Sequence, residues 1–581
     1  MSKATTSAKV AALAAASALL LAACGGSSGG GDTGASGDSG AMEATAGGTL
    51  TFLTLDEEFN HLDPQRNYTG EDLAFAAGYL NRTLVQYALS ADDNEAGTLV
   101  PDMATDIGTA TEEGKVWSFT LKDGMKFQDG TPITCAEVKY GVSRTFATDI
   151  ITDGPTYAIT MLDIPKDKDG SSAYKGPYDG TGQELFDEAV TCSDDMKTIT
   201  FNLAQPSADF NYTTTLSAFS PVPEAADTGE KYDVDLLSSG PYQIEEYNKG
   251  QNLKLVRNPE WDQATDDYRM AYPDEIVVNF AVPTSVSSQR LIADSGDDQT
   301  MTTKGLIIDP AQLAVVFNDP KFEDRRFDSY DPYVRYYAIN TAAVPNLDHR
   351  KAIAAAMPRA DLLTISGGTF AGDLADGVIK PNLAIDYQPS EMWSGLLGAT
   401  IPDNGDPEVA KQFVADSGEP MPKLTFDYPK SETNDKAAGA VVSALALADI
   451  EITPNPIDAG GYYGVVMDPE KAGSLISGGW GPDWLNASTV IPELFTPAGG
   501  FNLSLWDNAE FTQASDDAKL IADRDAQGQA WAELNKQAMA DVLVVPTRFG
   551  KMQGMIGSKV GNAYPWAPYG SWPYANMYVM Q

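Results

Sequence analysis

Gly478-Gly479-Trp480-Gly481-Pro482-Asp483-Trp484 gathers residue types that hold a ligand rather than transform one. The glycines let another backbone come close because no Cβ stands in the way. Trp480 and Trp484 offer flat apolar walls, and Asp483 offers a single negative charge. The same heptapeptide also reads as a tight Gly-Pro-Asp turn with both indoles in a core. Residues for catalysis are scarcer. His61 and His349 are the only histidines, which excludes a histidine-rich metal site and leaves little room for a triad. There is no Gly-x-Ser-x-Gly elbow between a strand and a helix, no phosphate-binding loop, no His-Glu-x-x-His and no Cys-x-x-Cys. Acidic residues are so numerous that any chosen carboxylate pair carries no information about acid–base chemistry.

Charge and length narrow the class further. The chain has 581 residues, too many for one core, so two or three domains are expected. Its 82 acidic and 39 basic residues give a net charge of −43, which repels nucleic acid and anionic lipid headgroups. Lys3 and Lys9 precede an apolar run from Val10 to Leu21, the pattern of a secretory signal. Leu21-Ala22-Ala23-Cys24 resembles a lipobox, so residues 1–23 are expected to be a lipoprotein signal peptide and Cys24 a lipid anchor. The Gly/Ser-rich residues 24–46 lack the apolar content to fold and form a flexible tether. In an exported protein the two remaining cysteines, Cys135 and Cys192, are expected to pair as a disulfide.

The elements that must position these residues follow from periodicity. TLTFLTL after Gly47-Gly48 alternates as a strand, and Leu73, Ala76, Leu80 and Leu84 predict a helix from Glu71 to Tyr87. Trp117, Phe119 and Leu121 predict a half-buried strand. Asp123-Gly124 and Asp129-Gly130 turn the chain, and Thr134 with Glu137 has capping-box spacing for a helix whose inner face is Val138, Val142 and Phe146. Ile199, Phe201 and Leu203 alternate in TITFNL. Asn248-Lys249-Gly250 predicts a hairpin, and YPDEIVVNF a strand. Beyond Tyr333 the pattern is helix-rich, with a helix opening at Asp406-Pro407 and a β-α-β unit in KLTFDY, the helix 434–448 and DIEITPNPID. A final helix is expected from Trp531 to Met539, followed by a buried strand in ADVLVVPTRF.

Trp117 to Val138 reads W-x-F-x-L-K-x-G-x-K-F-x-D-G-T-P-x-T-x-x-E-V, which resembles the signature of the solute-binding proteins of ABC importers, family five, the dipeptide, oligopeptide and nickel binders. Leu62-Asp63-Pro64, SSGPYQIEEYNKGQNLKLVRNPEWD and the G-W-x-x-D of Gly479 to Asp483 resemble further segments of that family. The resemblance implies an α/β, two-lobed periplasmic-binding-protein-like fold (type II, class C), its first lobe enlarged by a β-rich subdomain. Lobe I would comprise residues 47–91, 205–332 and 546–581, the subdomain 92–204, and lobe II 333–545. It implies that Asp483 pairs with a peptide α-amino group, that Gly479 and Gly481 meet the peptide main chain, and that Trp480 and Trp484 flank it. Tyr68-Thr69-Gly70 would line the cleft from the first lobe. The implied function is capture of extracellular peptides in an interlobe cleft for delivery to a membrane permease. Oligosaccharide, opine or metal-chelate cargo stands as the alternative, and a secreted hydrolase is less favoured. No cofactor, catalytic residue or nucleic-acid partner is expected, and the protein is expected to be monomeric and held outside the cytoplasm by its lipid.

Overall fold

The computed structural model describes Ala44 and residues 46–581. Cys24, residues 1–23 and nearly all of the expected tether lie outside the described residues. The alternating apolar residues of β1 (Thr49–Leu53) bury Leu50 and Phe52 completely. Helix α1 (Gly70–Tyr79) follows and is shorter than the expected 71–87. The chain leaves the helix because Arg82 turns inward. Its Nε donates to Asp102 Oδ1 at 2.9 Å, and Asp102 also takes the Thr83 amide at 3.1 Å and Arg269 Nη2 at 2.8 Å. Buried charges require such partners. Val85–Tyr87 is then a strand, paired antiparallel with Leu99–Pro101, so Leu84 is buried from a turn rather than a helix face.

Next comes β2 (Val116–Thr120), with Trp117 and Phe119 inward. Helix α2 (Cys135–Arg144) opens on the capping box, where the Glu137 carboxylate accepts the Thr134 amide at 2.9 Å. Val138 and Val142 are fully buried on its inner face, whereas Phe146 lies two residues past its end and reaches the same core from a turn. β3 (Thr198–Asn202) pairs antiparallel with β2 in a four-stranded sheet that includes short strands at 109–111 and 190–192. A disulfide joins Cys135 to Cys192, tying α2 to the edge of that sheet.

The hairpin of β4 (Tyr242–Asn248) and β5 (Asn252–Arg257) leads to β6 (Glu275–Asn279) and β7 (Met301–Thr303). These make a five-stranded sheet in the order β7-β1-β6-β5-β4, with β1 parallel to both neighbours. The second large sheet holds β8 (Arg326–Ile339), β9 (Gly372–Leu374), β10 (Leu424–Pro429), β11 (Ile452–Ile457), β12 (Leu475–Trp480) and β13 (Val544–Met555) in the order β9-β13-β8-β12-β10-β11. Helix α3 (Glu432–Leu447) crosses between the parallel strands β10 and β11. The last long helix, Arg524–Ala540, begins seven residues before the expected Trp531 because Asp523 caps it, taking the Ala526 amide at 2.8 Å.

β8 and β13 pair antiparallel from Arg326 opposite Met555 to Ala338 opposite Val544, with register shifts between Tyr330 and Val334 and between Arg335 and Tyr336. Just past β13, Ile556 bridges Thr302 of β7. The long pair therefore connects the two large sheets, and the architecture is a two-lobed α/β fold. Among the described residues no helix is long and apolar enough to cross a membrane.

Candidate functional site

β12 carries the ligand-suited segment toward the junction of the lobes. One side of it pairs with β8 along its length, Val334 opposite Trp480 and Arg335 opposite Gly479. Its other side pairs with β10 only at Leu475 and Ile476. From Ser477 onward that side has no strand partner among the described residues, although the Ser477 carbonyl accepts the Tyr462 hydroxyl at 2.5 Å. The glycines here have a packing reason of their own. A Cβ on Gly478 would lie 2.6 Å from the Tyr336 ring, one on Gly479 2.8 Å from Arg335 Nη1, and one on Gly481 3.0 Å from the Tyr333 ring. Side chains of β8 thus lie against this strand, and only glycine leaves room for them.

Past β12 the chain turns at Pro482 and presents Asp483. The Asp483 amide donates to Thr489 Oγ1 at 3.1 Å, and the Trp480 indole donates to the Thr489 carbonyl at 2.7 Å, so Thr489 fixes the turn. Tyr68 reaches across from the loop before α1, and its hydroxyl donates to Asp483 Oδ1 at 2.8 Å. The Tyr157 hydroxyl stands beside this pair, accepting from the Tyr68 hydroxyl at 3.4 Å. Among the described residues no Lys or Arg nitrogen lies within 4.0 Å of Asp483. Burial pushes the Asp483 carboxyl above the usual carboxylate range, the Tyr157 and Tyr68 hydroxyls oppose the shift, and the charge of Glu493 adds to it. Burial, and then the nearby Asp483 charge, push the Tyr68 hydroxyl upward as well. The carboxylate is held by the Tyr68 hydroxyl in a partly desolvated place, and among the described residues no lysine or arginine pairs with it.

A cavity of about 370 Å³ opens beside it, with Tyr68, Gly70, Tyr333, Tyr463, Trp480 and Asp483 in its wall. Gly479 and Gly481 also line it. Thr69 and Trp484 do not. Thr69 is exposed, at the start of α1. Trp484 is buried, its indole donating to Asp209 Oδ2 at 3.1 Å and its ring lying edge-on to Tyr157 at 4.9 Å. The Leu485 amide donates to the Tyr87 hydroxyl at 3.2 Å. Residues 484 and 485 therefore dock this turn onto the first lobe. Tyr157, Tyr333 and Tyr463 carry no sequence signal for the site. Tyr157 and Tyr463 lie on the short helices Tyr157–Met161 and Tyr462–Val466, and Tyr333 on β8, so only the tertiary fold brings them here. Among the described residues no group of three or more His, Cys, Asp or Glu is placed to hold a metal ion.

Known proteins resemble this chain over most of its length. The family model for bacterial extracellular solute-binding proteins, family 5 (middle), matches residues 98–502. The probable D,D-dipeptide-binding periplasmic protein DdpA of Escherichia coli is 25% identical over 478 residues, 80% of this chain and 81% of that protein. The periplasmic oligopeptide-binding protein OppA of Salmonella typhimurium is 23% identical over 486 residues, covering 80% of this chain and 82% of its own. Among solved structures, the clavulanic acid biosynthesis oligopeptide binding protein 2 superposes with a TM-score of 0.83 at 27% identity, covering 93% of this chain and 96% of that one.

Proposed function

This chain belongs to the bacterial extracellular solute-binding proteins of family 5, and we propose that it captures peptides between its lobes and hands them to the membrane permease of an ABC importer. The observation that carries this reading is Asp483. A half-buried carboxylate facing a cavity, bonded by the Tyr68 hydroxyl and with no lysine or arginine partner among the described residues, suits a cationic group of the cargo such as a peptide α-ammonium. The strand edge of β12 beyond Ile476 supports it, since an extended peptide can be held there as an added strand by main-chain bonds that ignore sequence. Relatives named for binding dipeptides and oligopeptides support it too. Gly479, Trp480, Gly481, Tyr68 and Gly70 would form the walls, while Thr69 and Trp484 would act behind them.

In this reading the lobes are 47–91, 205–332 and 546–581 with the subdomain 92–204, and 333–545, hinged where β8 and β13 cross. Contacts such as Tyr68 with Asp483 would break and re-form as the cleft opens and closes. The chain works as a binder and not an enzyme, as a monomer, and is held outside the cytoplasm by lipid on Cys24. Mass spectrometry of ligand released from the denatured, purified protein tests the cargo. Peptides are expected. Recovery of an oligosaccharide, an opine or a metal chelate instead, together with no rise in melting temperature across a diverse peptide library, would refute the proposal.

A further inference from the structure

The parallel strands β10 and β12 pair only at Phe426 opposite Leu475 and Asp427 opposite Ile476, and then part. Beyond that point β10 stays with β11 as far as Pro429 opposite Ile457, while β12 stays with β8. Tyr462 fills the fork between them. It is 2% exposed, and its hydroxyl donates to the Ser477 carbonyl at 2.5 Å and lies 3.3 Å from the Asp427 carbonyl. The fork is pinned from behind, where the Asp427 carboxylate accepts the Gly473 amide at 2.6 Å and the Asn455 side-chain amide at 2.8 Å. A fixed side chain thus caps the first carbonyl of the edge on which an added strand would be laid.

Parity decides what the rest of that edge offers. In a strand, the amide and carbonyl of one residue point to one side and those of the next residue to the other. The Ser477 carbonyl points to Tyr462 on the β10 side, away from β8. Gly478 and Trp480 therefore turn their main-chain groups to β8, and Gly479 turns its pair outward. Gly479 borders both the cavity at Asp483 and an adjoining one of about 380 Å³, which Tyr462 and Ser477 also line. Tyr463 stands 52% exposed in the wall of both cavities, its ring 5.5 Å from that of Phe501. The open edge runs back from Gly481, at the Asp483 end, to Gly479 and stops at Ser477.

An extended peptide advances about 3.3 Å per residue, as β12 does, so the two match residue for residue. With its ammonium at Asp483 and its chain running back along β12, its first residue stands opposite Gly481 and its third opposite Gly479. The amide of its fifth residue would meet the Ser477 carbonyl, which Tyr462 already occupies. We infer that Tyr462 sets the length of cargo that the main chain holds, ending the added strand after the third residue. The site then suits tripeptides and recognises longer peptides by their first three residues. The inference rests on reading the Asp483 cleft as the peptide site.

Calorimetric titration of the purified protein tests it, using several pentapeptides of different sequence and their truncations to four, three and two residues. All are C-terminal amides, so that no end charge moves with length. Wild type should gain about three- to tenfold in affinity from dipeptide to tripeptide, and less than about twofold from tripeptide to pentapeptide. N-methylation of a pentapeptide at residue 3 should cost about three- to tenfold, and at residue 5 less than about twofold. Tyr462→Phe uncaps the Ser477 carbonyl, and Tyr462→Ala also clears the ring. In at least one of them the pentapeptide should outbind the tripeptide about three- to tenfold, and methylation at residue 5 should abolish that gain. Loss of the Tyr462 hydrogen bond lowers stability whatever the residue does for cargo, so the length profile is the readout. The methylation scan on wild type keeps the inference falsifiable if neither variant folds. Affinity that climbs steadily to the pentapeptide in wild type, a cost of residue-5 methylation there, or a length profile unchanged in both variants overturns the stop at Ser477 and leaves peptide capture standing. Failure of every peptide to bind overturns this inference and the peptide reading together.

Discussion

Replacing Asp483 with asparagine should move two observables in opposite directions. The substitution keeps the shape of the turn and the Thr489 contact to its amide, but removes the charge. If a ligand ammonium sits against this carboxylate in the closed cleft, its loss leaves a buried cation without a partner. Breaking such a pair costs about 2–5 kcal/mol, roughly thirty- to several-thousandfold in affinity. The loss should be large for peptides with a free amino terminus and small for the same peptides acetylated there. Unliganded stability should change the other way. The folded state raises the Asp483 pKa above the ordinary 3.8, so it favours the neutral form. For an acid this means the ionised group destabilises the fold at neutral pH, and stability is regained as pH falls through the raised value. Asparagine is neutral throughout, so its unliganded melting temperature at pH 7 should exceed that of wild type. The same linkage makes wild-type affinity for free peptides fall on acidification at a higher pH than an ordinary aspartate would dictate, because proton and ammonium compete for one carboxylate. Calorimetry with paired free and acetylated peptides, and thermal melts without ligand, measure both effects. Equal affinity of the two proteins for a free peptide would remove Asp483 from the site, and a lower melting temperature in the variant would refute the account of its burial.

Reducing the Cys135–Cys192 bond, or replacing both cysteines with alanine, opens a link spanning 57 residues and should cost about 4 kcal/mol on chain-entropy grounds; denaturant melts with and without reductant measure it. Lys380 donates to the carbonyls of Tyr333 and Gly550, each at 2.9 Å, and pairs with Asp331, so Lys380→Met should destabilise the strand crossing by about 3–5 kcal/mol. Burial, reinforced by Arg335 and Arg548, pushes its pKa down to about 8 from 10.5. Between those values the unfolded chain holds a proton the folded one has released, so wild-type stability should rise with pH across that window, and the rise should be absent in Lys380→Met. Cys24→Ser should shift the protein from the membrane to the soluble fraction of lysed cells without detergent, and retention on the membrane would refute lipid anchoring.

The amino-acid sequence by itself determined the features whose partners lie a few residues apart. The Thr134–Glu137 capping box, the hairpin at Asn248 to Gly250 and the Asp406 cap, which takes the Glu408 amide at 3.0 Å, are closed within one turn of chain, so local chemistry decides them. The alternation in β1, β2 and β3 was legible for the same reason, since a half-buried strand repeats every second residue. Asp483 stood out through its own type and neighbours. What surrounds it did not, because Tyr68 is 415 residues away and meets it only when the lobes come together. The end of α1 was misread at Leu80 and Leu84, whose spacing suits a helix, because periodicity cannot register the pull of Asp102 on Arg82. The opposition of Arg335 and Arg548 is likewise a matter of strand register, which a shift of one residue would undo by turning one side chain to the other face. Contacts between residues hundreds of positions apart depend on register and lobe geometry, and those are settled by the packing of the whole chain rather than by the residues that meet.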